Sequence, residues 1–250
     1  GERLVVISGR EEVAVQVWDW RAKRRCGVNV ADHRCILAAK ADPYQDKAPE
    51  AFSFVTCGVN HLKLWSFRNE RLQAATWAGD PRGRAKLSTF LSLAFPGKSL
   101  LVVGGQAGSL LLFRITSTGP VLLRIIDAAH AGPVYSLCAA NAMFLSGGGD
   151  GTVSRWRVES KSGGLDLHYL KTFQVVSLAA VSCPDGTSRG ASIKGIVCCE
   201  LPDETVIFVG TGDDKVVEIR DRSNEMSVLD QGHQPELGGG PVQGGSGGRP

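Results

Sequence analysis

One local pattern returns along these 250 residues and limits the chain more than any other feature. It is an apolar run, a small or hydroxyl residue with glycine, a polar turn, then alternating apolar residues that end on a large side chain. The fullest copy is Met143-Phe144-Leu145-Ser146-Gly147-Gly148-Gly149-Asp150-Gly151-Thr152-Val153-Ser154-Arg155-Trp156. Others run from Leu4 to Trp18, Phe52 to Trp65, Leu100 to Phe113 and Val206 to Ile219, and their end points are 47, 48, 43 and 63 residues apart. Short β-rich apolar segments separated by Gly, Asp, Asn and Pro clusters fill the chain, and no stretch keeps a 3.6-residue period for three turns. An all-β chain is expected.

A spacing of about 45 residues marks four-stranded antiparallel blades that bury their faces only by stacking on neighbours. The predicted fold is a WD40-type β-propeller spanning residues 3–234, with about five blades visible of an incomplete ring and blade ends near 18, 65, 113, 156 and 219. The long last interval is assigned to a polar surface loop, Cys183 to Gly190. A Gly-His-like corner should precede each innermost strand, and Asp32-His33, Ala129-His130 and Gly232-His233 stand at those places. In the copy ending at Trp156, the set His130, Ser146, Asp150 and Trp156 predicts a buried hydrogen-bond network with a structural role. The chain starts without methionine inside one blade and ends on a corner announcing another, so it is expected to be an inner portion of a longer protein. Residues 235–250, rich in glycine, are read as a flexible tail.

Composition excludes several classes. Lys+Arg 28 against Asp+Glu 25 gives a net charge of +3, which does not call for nucleic acid. The longest apolar runs, such as 109–113 and 175–181, fall far short of a bilayer span, so no membrane segment is expected. Seven cysteines without a Cys-x-x-Cys pair read as reduced, buried thiols of a cytosolic protein. Neighbouring Cys198 and Cys199 point to opposite faces of a strand and are assigned to packing.

The doubled tryptophan of Val17-Trp18-Asp19-Trp20 and the segment Phe54-Val55-Thr56-Cys57-Gly58-Val59-Asn60-His61-Leu62-Lys63-Leu64-Trp65 resemble the echinoderm microtubule-associated protein-like family. The likeness continues through 103–108, 129–134, 145–151 and 209–214, covering about residues 3 to 234. The resemblance implies a cytoplasmic, microtubule-associated protein, in the cytoskeleton or an axoneme, built from a tandem pair of atypical propellers, with this chain in the middle of the first. Tubulin or microtubules are the implied partners. A general adaptor for other proteins, ciliary ones included, is the alternative.

Catalytic chemistry is not legible. Histidines 33, 61, 130, 168 and 233 form no zinc-binding pair, and His61 is read as a surface or hydrogen-bonded residue in the turn before a strand. Gly210-Thr211-Gly212-Asp213-Asp214-Lys215 has no helix after it to hold phosphate and is read, like Gly147 to Gly151, as a hairpin turn whose glycines supply positive φ. No catalytic residue, cofactor or metal is therefore predicted. Two basic groups remain as candidate contacts for an acidic partner: Arg21, Lys23, Arg24 and Arg25, and Arg82, Arg84 and Lys86.

Overall fold

The computed structural model describes residues 3–8, 13–30, 35–45, 51–140, 143–161, 164–175 and 192–231. The corners at 32–33 and 232–233, the loop at 183–190 and the tail at 235–250 lie outside the described residues. Five antiparallel sheets follow one another along the chain. The first holds β1 (Arg3–Ser8), β2 (Ala14–Asp19) and β3 (Arg24–Val30), and the second β4 (Ile36–Ala41), β5 (Ala51–Gly58), β6 (His61–Arg68) and β7 (Arg71–Thr76). The third holds β8 (Phe90–Gly97), β9 (Leu100–Gly105), β10 (Leu110–Thr116) and β11 (Gly119–Ile126), and the fourth β12 (Val134–Ala140), β13 (Met143–Gly148), β14 (Thr152–Lys161) and β15 (Gly164–Gln174). The fifth holds β16 (Ile193–Glu200), β17 (Thr205–Thr211), β18 (Lys215–Arg220) and β19 (Met226–Gln231).

Period-2 alternation explains how the sheets stack. On β9 and β10, Leu101, Val103, Leu111 and Phe113 enter the core shared with the second sheet, while Val102, Leu110 and Leu112 enter the core shared with the fourth. The third sheet is thus apolar on both faces and buries both only between two neighbours. The innermost strands β4, β8, β12 and β16 pack on one another in turn, and β3 meets β7 at the rim. Packing runs from the first sheet to the fifth without closing the ring among the described residues.

Repeat and sheet are offset by one strand. Trp18, Trp65, Phe113, Trp156 and Ile219 all sit on the strand before the outermost one: β2, β6, β10, β14 and β18. Because strand directions alternate, the turns β2–β3, β12–β13 and β18–β19 open on one face of the stack. The turns β5–β6 and β13–β14, and the crossings from one sheet to the next, open on the other.

The glycine-rich hairpin differs from expectation. Only Gly151 has positive φ, at 74°, and in the equivalent turn of the fifth sheet that place belongs to Asp214, at 60°. Gly147 and Gly148 serve close approach instead: a Cβ on Gly148 would fall 2.5 Å from Asp150 Oδ1 and closer still to His130 Nδ1.

Candidate functional site

The fourth blade buries a connected set of polar groups. Trp156 Nε1 donates to Ser146 Oγ at 2.8 Å, and Ser146 Oγ lies 2.7 Å from His130 Nε2. On the other side of the ring, His130 Nδ1 is 3.1 Å from Asp150 Oδ1 and 3.0 Å from Thr152 Oγ1. A carboxylate only accepts, so the proton rests on Nδ1 and Nε2 accepts the Ser146 hydroxyl proton. Asp150 also accepts the Ala131 and Thr152 amides, at 2.8 and 3.1 Å. Burial pushes the Asp150 carboxyl up. The two amides, the Thr152 hydroxyl and His130 outweigh that and hold it below its ordinary value. His130 N–H in turn donates to Gly108 O at 3.1 Å, so the set ties the crossing between the third and fourth blades to both neighbouring hairpins.

The second blade holds a counterpart that the sequence reading missed. Thr56 Oγ1 is 2.7 Å from His61 Nε2 and accepts the Trp65 Nε1–H, also at 2.7 Å. His61 is not in the turn but is the first residue of β6, and it is 1% exposed, so of the two roles expected for it the hydrogen-bonded one holds and the surface one does not. Ring packing repeats as well: Phe54 stacks on Trp65 at 5.9 Å, as Phe144 does on Trp156 at 6.2 Å. A hydroxyl two residues before the end of the hairpin's first strand and an aromatic on the facing strand were the signals available; the pattern places no histidine at the start of β6.

The two basic groups are not brought together. Trp20 to Lys23 form the exposed β2–β3 turn, closed by Asp19, whose carboxylate accepts the Ala22 N–H at 2.9 Å and pairs with Arg3 at 2.7 Å. The Ala22 amide, ahead of the Arg3 charge, holds that carboxyl below its usual value. The Arg21 guanidinium lies 5.2 Å from the Trp20 ring centroid, a cation–π contact at a half-exposed ring. Arg24 bridges to Glu70 at 2.7 Å, an exposed pair of small energetic worth. Lys23 and Arg25 are exposed and form no ion pair among the described residues. Arg21, Lys23 and Arg25 are therefore exposed cations in or directly after the β2–β3 turn.

Arg82, Arg84 and Lys86 lie in the crossing from β7 to β8, which opens on the opposite face. Arg84 is engaged within the fold: Nε meets Asp80 Oδ2 at 2.6 Å and NH2 donates to Leu122 O at 3.0 Å. It acts as a clamp on β11, and Asp80 is held below its usual value by that hydrogen bond. Among the described residues no three His, Cys, Asp or Glu side chains converge to hold a metal, and no helix is long and apolar enough to cross a membrane.

Antiparallel sheets, four of the five four-stranded, stacked on one another, with hydroxyl–tryptophan networks within the second and fourth, define a WD40-type β-propeller. A crystal structure of the Cps50 (Swd1) β-propeller domain of Myceliophteria thermophila superposes with a TM-score of 0.67, covering 91% of this chain and 69% of that one at 10% identity. No protein-family model matches the chain. Among curated relatives, the 77 kDa echinoderm microtubule-associated protein of Strongylocentrotus purpuratus is 26% identical over 200 residues, 78% of this chain and 28% of its own. The protein of that name from Lytechinus variegatus is 24% identical over 241 residues, 96% of this chain and 32% of its own. Echinoderm microtubule-associated protein-like 4 of Xenopus laevis is 28% identical over 177 residues, 62% of this chain and 18% of its own. The chain thus spans about a third or less of the relatives it matches. It is a WD40-type propeller chain similar, at low identity, to the echinoderm microtubule-associated protein-like family.

Proposed function

We propose that this chain is a microtubule- or tubulin-associated propeller of the cytoskeleton that acts as a protein-binding platform, by contact and not by catalysis. The observation that carries this reading is the similarity to echinoderm microtubule-associated protein along up to 96% of the chain. The β2–β3 turn supplies a physical means. Arg21, Lys23 and Arg25 face solvent in or directly after it, where clustered cations speed encounter with an acidic polypeptide such as a glutamate-rich tubulin tail. Burial keeps His61, His130 and the hydroxyls and tryptophans they join from any partner, so the loops do the binding and the networks hold the blades still.

Co-sedimentation with microtubules tests the proposal, at low and at physiological salt, before and after removal of the acidic tails. Salt-sensitive, tail-dependent pelleting that is lost in R21E/K23E/R25E supports it. Pelleting unchanged by that triple variant removes the turn from the account, and a folded protein that never pellets removes microtubules. A second reading, an adaptor for other folded proteins, is favoured by Trp20. That ring is 52% exposed beside Arg21, and Trp with Arg is the pairing that dominates interface energetics.

A further inference from the structure

Two cysteines 60 residues apart in sequence meet at the seam between the fourth and fifth blades. Cys138 Sγ on β12 and Cys198 Sγ on β16 are 3.3 Å apart. They correct the reading of all cysteines as buried packing thiols: of the six described, Cys26 and Cys57 are buried, Cys35 and Cys199 exposed, and this pair is half-buried. Both line one small, open cleft, together with Ala140, Met143, Arg155 and Glu200. The seam is otherwise non-covalent. Ile196 N–H donates to Ser136 Oγ at 3.0 Å, while Arg155 and Lys171 both pair with Asp221.

The pair is chemically asymmetric. A thiol reacts with oxidants as thiolate. The hydrogen bond with Cys198 favours the charged form of Cys138 and, helped by Lys40 against the effect of burial, lowers its pKa to about 6. The Cys198 thiol keeps its proton, raised first by that same bond and then by burial. Cys57 makes the contrast, since burial alone pushes it up to about 12.

We propose that Cys138 and Cys198 are a modification site, an inter-blade dithiol that a hydroperoxide closes to a disulfide. The Cys138 thiolate attacks the peroxide oxygen; the O–O bond breaks, hydroxide or alkoxide leaves, and a sulfenic acid forms. Cys198 sulfur then attacks the Cys138 sulfur, the S–OH bond breaks, and water leaves with the Cys198 proton. Two thiols are oxidised by two electrons and one peroxide is reduced. The sulfur atoms need only shorten their separation from 3.3 Å to the bonded value of about 2.05 Å, a side-chain movement between neighbouring strands. The product fastens the fourth blade to the fifth at their innermost strands.

Treatment of the folded protein with hydrogen peroxide, alkylation of the remaining thiols and non-reducing peptide mapping tests this. The expected product is a peptide joining Cys138 to Cys198, reversed by dithiothreitol, lost in Cys138→Ser and retained in Cys199→Ser. Circular dichroism of the untreated and treated wild-type protein controls for folding without any variant. A Cys138 that ends as an unlinked sulfenic or sulfinic acid, a link joining Cys198 to Cys199, or full alkylation of both thiols after peroxide would overturn the proposal.

Discussion

The second and fourth blades both bury a tryptophan N–H and a histidine ring on one hydroxyl, and they recruit the histidine from different parts of the chain. In the second blade the partners are five and nine residues apart, all within the β5–β6 hairpin. In the fourth, His130 comes from the crossing before β12 and reaches Ser146 and Asp150, 16 and 20 residues on. The third and fifth blades place Val103 with Phe113, and Val209 with Ile219, in the corresponding positions and stay apolar. A propeller core therefore does not need the polar set for burial. What the long-range set adds is attachment of a crossing loop, while the Thr56–His61 and Thr56–Trp65 bonds join the two strands of one hairpin.

That difference is open to direct attack. His130→Ala leaves Ser146 and the Asp150 carboxylate without their ring partner and should cost about 3 kcal/mol, whereas His61→Ala should cost roughly half as much. Hydrogen exchange localises each effect: opening at 127–134 for the first, and at β5–β6 for the second. Equal costs with equal spread would erase the distinction. Gly148→Ala pushes a methyl group between His130 and Asp150 and should cost about 2 to 3 kcal/mol without touching either group's chemistry. Denaturant midpoints would show it.

The hydroxyls offer the matched control. Ser146→Ala and Thr56→Val each strand a tryptophan N–H and a histidine nitrogen, so similar losses of about 2 kcal/mol are expected from the two blades. Clearly unequal losses would mean that the networks differ at the hydroxyl and not at the histidine. The smallest effect is in pH. Asp150 titrates below its ordinary 3.8 in the folded protein, so its contribution is complete above about pH 4 and is lost as pH falls through the folded value. Asp150→Asn should flatten that acid limb in thermal scans, and Thr56→Val should leave it in place.

The fold was legible because its signals are local. Period-2 strands, glycine turns and a spacing near 45 residues report a blade without knowledge of its neighbours, and the offset between repeat and sheet emerges only once the outermost strand is paired. His130, Ser146, Asp150 and Trp156 were read together because they recur in a fixed order, and the structure brings them within hydrogen-bond reach. His61 escaped because the pattern places a blade's histidine in the corner before the innermost strand, where His33 stands in the sequence, and not at the start of β6. Arg84 looked like a free cation because only the Asp80 half of its clamp is local; Leu122 O is 38 residues away. The Cys138–Cys198 contact carries no sequence signal at all, since the packing of one sheet on the next decides it.

The binding account turns on which face meets the partner, and one measurement reads that face. Zero-length carbodiimide coupling on microtubules joins a lysine to a tubulin carboxylate only where the two touch. Lys23 lies in the β2–β3 turn and Lys86 in the crossing that opens on the opposite face. Mass spectrometry of the coupled complex should recover Lys23 joined to tubulin tail peptides, with Lys86 uncoupled. Recovery of Lys86 without Lys23 would contradict the account and move the binding surface to the other side of the propeller.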